Sequence, residues 1–118
     1  MESRRVAQRF YREAFADSGL HCVSPPADFL ENGYLNLMVY SPADRARMEA
    51  LLKEKGIGYG IVYPEPMSRQ RGAQAWLKAH VGGEQALLQG QSVLSLPLFP
   101  YIRGEELEEV RDVVLAAR

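Results

Sequence analysis

Cysteine is almost missing from this sequence: Cys22 is the only one among 118 residues. An intrachain disulfide is therefore excluded, and a reducing cytoplasmic setting is expected. Two histidines, His21 and His80, join that one thiol. This is too small a set for a zinc site, which takes about four ligands in close pairs. Lysine is scarce as well, with only Lys53, Lys55 and Lys78. None of the three sits in an apolar, pocket-like stretch that would lower its pKa for Schiff-base chemistry. No apolar run approaches the roughly 20 residues of a membrane span. The opening "MESRRVAQRF" lacks the apolar core of a secretory signal, so none is expected. The net charge is -1, which removes any global electrostatic case for nucleic acid or a membrane surface.

What is present is an ordinary globular composition, 47% apolar and 25% charged, long enough for one domain over 1–118 with one modest core. Val6, Phe10 and Ala14 recur every four residues, flanked by Phe15, and predict an amphipathic first helix ending near Ser18-Gly19. "HCVSPPADFLENG" reads as irregular because Pro25-Pro26 cannot sit inside a helix. "YLNLMVYS" predicts a strand. "SPADRARMEALLKEKG" is a strong helix signal: Ser41 as cap, Pro42 in the first turn, Met48, Leu51 and Leu52 inward, and Gly56 as the left-handed stop. "YGIVY" predicts a second strand, "AQAWLKAH" and "EQALLQG" short helices, and "SVLSLPLF" a third strand. "GEELEEVRDVVLAAR" closes as a helix with Leu107, Val110 and Val114 inward and Glu105 and Glu106 in its first turn. The expected fold is α+β: a two-layer sandwich with a small three- or four-stranded sheet and helices mainly on one face.

Chemistry is sparse. "GIGYG" has the glycines of a phosphate loop, but such loops follow a strand and open a helix, whereas here a helix ends and a strand begins. A Cys22–His80 pair is conceivable, though nothing marks the thiol as activated. The arginines of the first helix and the "GEELEE" run read as solvated faces. No catalytic residue and no metal ligand is assigned.

Three segments carry a family likeness: "RRVAQRFYREAFADSGL", "LLKEKGIGYGIVYPEP" and "VLSLPLFPYIRGEELEEV". In that order and spacing they resemble the C-terminal small domain of DegT-type (DegT/DnrJ/StrS) sugar aminotransferases, which are pyridoxal-phosphate-dependent enzymes of fold-type I. The resemblance implies that the cofactor is held by a large N-terminal domain that these segments do not include. It implies no cofactor and no transaminase activity for this chain alone. It also implies that the loop around Tyr63, Pro64 and Pro66 faces a nucleotide-sugar substrate. The family pattern there is "HYP.P.H". Val62 and Ser68 stand at its two histidine positions, so the loop keeps its shape-setting prolines and loses its imidazoles. The expectation is a vestigial or altered substrate site made of Tyr63, Pro64, Pro66 and Ser68, with Arg69 and Arg71 as alternative phosphate contacts.

Two roles follow from the resemblance: part of a split or truncated enzyme, or a free-standing binding or assembly module. An unrelated small α+β enzyme would need a motif that is not found. The expected partners are a second copy of the chain or a separate large-domain chain, with Phe10, Phe15 and Trp76 as candidate contact residues.

Overall fold

The computed structural model describes residues 1–117, so Arg118, at the end of the closing helix signal, lies outside the described residues. The elements run α1 (Glu2–Phe15), β1 (His21–Cys22), β2 (Asn36–Val39), α2 (Pro42–Glu54), a 3-10 turn (Met67–Arg69), α3 (Arg71–Gln74), α4 (Glu84–Ser92), β3 (Val93–Leu96) and α5 (Gly104–Ala116). The sheet is antiparallel throughout, in the order β1-β2-β3. Its central register pairs Met38 with Leu94 and Asn36 with Leu96. Alternation along the strands sends Met38, Leu94 and Leu96 to one face. There they join Ala7, Tyr11 and Phe15 of α1, Met48 and Leu52 of α2, and Leu107, Val110 and Val114 of α5 in one buried cluster. This is the expected α+β arrangement, with three strands and helices on the packed face.

The helix ends follow local chemistry. The Asp44 amide donates to Ser41 Oγ at 3.1 Å, and Pro42 occupies the first turn of α2. At the other end Gly56 takes φ +70°, so its own N–H reaches the Lys53 carbonyl and the Ile57 N–H reaches that of Leu52. Together these close a Schellman motif. In α5 the Arg103 amide donates to Glu106 Oε2 at 2.8 Å.

Several expectations are corrected. The fully buried line of α1 is Ala7, Tyr11 and Phe15; Phe10 and Ala14 of the expected series pack half-buried against the same cluster, and Val6 is exposed. This line places the Tyr11 ring in the core while its hydroxyl donates to the Pro97 carbonyl at 3.1 Å. Phe15, offered as a contact residue, is therefore buried, stacked on Tyr11 with ring centroids 6.0 Å apart. Second, His21–Cys22 is not irregular but the edge strand β1; the prolines that break the segment come three residues later. Third, "YGIVY" does not become a strand. It makes a single bridge, Gly60 to Ser95, and then leaves the sheet. Pro64 and Pro66 follow at once, and proline cannot donate to a ladder. "AQAWLKAH" also shortens to the one turn of α3, which begins earlier, at Arg71.

Candidate functional site

The loop singled out in the sequence leaves the body of the molecule. From Lys53 to Gln89 no residue is buried. Tyr63 is 75% exposed and Trp76 84%. Pro66, in extended backbone, caps the 3-10 turn, and the Arg69 amide closes it on the Pro66 carbonyl at 2.9 Å. Pro64 is held from below: Gly90 of α4 passes so close that only a residue without a side chain fits there.

The structure brings together only part of the expected set. Pro66, Ser68 and Arg69 line a small cleft of about 110 Å³ with His80, Gly83 and Glu84. Tyr63, Pro64 and Arg71 do not line it. His80 was missed as a member of this group. It is placed by the Gly82-Gly83 turn, whose φ values of +71° and +98° double the chain back before α4. A Cβ at Gly83 would stand 2.9 Å from His80 Nε2. The signal in the sequence was "HVGGE", a histidine two residues ahead of paired glycines and a helix start. Ser68 and His80, from different elements, thus line the same cleft.

His80 is correspondingly not a partner of Cys22. The Cys22 thiol donates to Asn36 Oδ1 at 3.4 Å and lies near the charges of Arg12 and Glu31. Burial pushes this thiol up, and the Arg12 charge only partly offsets that, so it is the opposite of an activated nucleophile. Among the described residues no group of three or more His, Cys, Asp or Glu side chains is placed to hold a metal, and no described helix is long and apolar enough to cross a membrane.

A larger cleft, about 500 Å³, opens where the Gly56–Gly60 segment, the end of β3 and the start of α5 meet. Its walls are mostly apolar, including Ile57, Leu98, Phe99 and Ile102, and Glu106 and Glu109 stand at its α5 side. Both glycine-rich and "LSLPLF" segments contribute to it, although neither pointed to a cavity in the sequence. Of the glycines of "GIGYG", Gly56 serves the helix stop and Gly60 the Ser95 bridge.

An antiparallel three-stranded sheet covered by helices, with a proline-shaped loop standing off it, makes a small α+β unit. The chain belongs to the DegT/DnrJ/EryC1/StrS aminotransferase family, which matches residues 1–115. The fold is similar to that of DesV from S. venezuelae, solved with a ketimine intermediate, at 21% identity and a TM-score of 0.85, over 98% of this chain and 31% of that one. It is similar to PseC of Helicobacter pylori, an aminotransferase of pseudoaminic acid biosynthesis, at 18% identity and 0.84, over 99% and 32%. A third similar structure is Spr1654 from Streptococcus pneumoniae in its PMP form, at 17% and 0.79, over 98% and 30%. The chain therefore spans about a third of the length of the solved structures it matches. No curated protein matches it.

Pyridoxal phosphate, which the family uses, does not fit the residues present. A Schiff base needs a lysine in a desolvated pocket, and Lys53, Lys55 and Lys78 are all exposed.

Proposed function

We propose that residues 1–118 act as the C-terminal small domain of a DegT-type sugar aminotransferase architecture. They do not catalyse transamination alone and work beside a large domain that holds the cofactor, in a split or truncated enzyme. The observation that carries this reading is the extent of the likeness. Nearly the whole chain superposes on about a third of each related aminotransferase, and no lysine here is set for an aldimine. The loop bearing Tyr63, Pro64, Pro66, Ser68, Arg69 and Arg71 is then the part that faces a nucleotide sugar. Its role is contact with substrate: Ser68 offers a hydroxyl, Arg69 and Arg71 planar donors for phosphate oxygens. A cytoplasmic setting is in keeping with the single cysteine.

Two measurements test this. Mixed with pyridoxal phosphate and borohydride, the chain is expected to acquire no stoichiometric label on any one lysine; a single fully labelled lysine would sink the reading. Titration with a nucleotide sugar, followed by amide shifts, reads the loop. Saturable shifts confined to Tyr63–Arg71 and lost in Arg69→Ala mark a live substrate contact. No shift at all marks a loop that has lost it.

A second reading, a free-standing assembly module with the same fold, draws on the amount of apolar side chain that the loop region leaves uncovered.

A further inference from the structure

We infer that the segment Tyr63–Val81 is an arm that seats in the 500 Å³ apolar cleft of a second copy of this chain. The inference rests on two complementary surfaces of the one molecule and not on the aminotransferase reading.

The first surface is the arm. Tyr63, Met67, Trp76 and Val81 project from it, the last 97% exposed. Side chains of this size are ordinarily covered, and a run of them on one segment marks a contact surface. The arm also stretches the molecule. Its radius of gyration is 15.9 Å, against about 13.5 Å for a compact domain of this length. The charges on the arm are Arg69, Arg71 and Lys78 against the single carboxylate of Glu65.

The second surface is the cleft at the root of α5. Its walls offer Ile57, Leu98, Phe99 and Ile102, and its α5 side is acidic, with Glu106 and Glu109 at the edge. Glu105 and Glu108 add to the same end of that helix. Glu106 is engaged by Arg103, while Glu109 has no ion pair among the described residues. An apolar arm with excess positive charge thus has its counterpart in an apolar cleft with an acidic edge. Within one molecule the arm leaves the chain directly beyond Gly60, which lines the cleft, and remains exposed. Across two molecules a two-fold axis sends each arm to the other's cleft, giving two equal contacts and a closed dimer. Trp76 is the expected anchor, since tryptophan dominates such contacts. The charged edge sets orientation and salt dependence.

Sedimentation equilibrium on the full chain tests it. The expected species is a dimer that weakens as salt rises. Trp76→Ser is expected to raise the dissociation constant roughly tenfold or more; because Trp76 is exposed, the fold is retained, which circular dichroism checks. Glu109→Lys and Lys78→Glu are each expected to weaken self-association by setting like charges together. Mixing the two variants in equal amounts is expected to restore it, because the mixed dimer again pairs opposite charges at both contacts. A monomer up to about 1 mM would overturn the inference. So would a dimer indifferent to Trp76→Ser, or charge variants that mixing fails to rescue. A chain that stays monomeric alone and associates only with a family large domain would assign the arm to a different occupant, and would overturn it too.

Discussion

A Cβ placed on Gly90 would stand 2.6 Å from the Pro64 carbonyl oxygen and 3.3 Å from that of Tyr63. A glycine inside α4 weakens the helix by about 1 kcal/mol relative to alanine, and the close approach of the loop backbone explains why it is there. Gly90→Ala is expected to destabilise the protein by about 1–3 kcal/mol through overpacking, measured by urea unfolding. The amide shifts should concentrate at Tyr63–Arg69, with the sheet unmoved. Equal stability with an unshifted loop would mean that the loop is not pinned there.

Tyr40 makes a different kind of test. Its ring is buried and its hydroxyl has no partner among the described residues. Burial pushes its pKa from 10.0 up to about 12. A raised folded pKa means that the fold favours the neutral phenol. That contribution is whole below the unfolded value near 10 and is lost as pH rises toward 12. Tyr40→Phe is therefore expected to be neutral or stabilising at pH 7, and to flatten the fall in stability between pH 10 and 12. A loss of more than about 1.5 kcal/mol at pH 7 would instead reveal a hydrogen bond.

On the acid side the relevant group is Glu106. The Arg103 amide, then its guanidinium, hold the Glu106 carboxyl below its ordinary 4.5. A depressed folded pKa gives stability that is present above the unfolded value and lost as pH falls below it. Glu106→Gln should make the thermal midpoint less sensitive to pH below about 4.5. An unchanged slope counts against the cap.

Cys22 should be slow to react. With its thiol pushed up by burial, labelling by a disulfide reagent at pH 8 is expected to lag well behind that of the same protein in denaturant. Equal rates in both would show an accessible thiolate.

How much of this could be read from the sequence depended on where the decisive force was local. The α2 boundaries were legible because Ser41, Pro42 and Gly56 act within a turn of themselves. Leu107, Val110 and Val114 repeat at helical spacing and face inward as read. On α1 Phe10 and Ala14 pack half-buried against the core as expected, but Val6 does not, because the fully buried line runs through Ala7 and Tyr11. The deciding contact, Tyr11 to the Pro97 carbonyl, comes from the far end of the chain. The strand read in "YGIVY" has the right composition, yet pairing needs a free edge and donors beyond it, and the prolines remove them. For the site, the loop was visible through its prolines. Its neighbour His80 was not, because the Gly82-Gly83 turn that returns it acts across the arm.

Because the residues between Gly60 and Gly90 contribute nothing to the buried core, that stretch is under little folding constraint. Its close contact at Gly90 is with main-chain carbonyls, which every amino acid carries. Drift can therefore rewrite the arm's side chains, and even its length, while the sheet and its helices go on assembling unchanged. A lineage built this way can exchange one recognition surface for another without passing through an unfolded intermediate sequence. A laboratory can do the same by grafting.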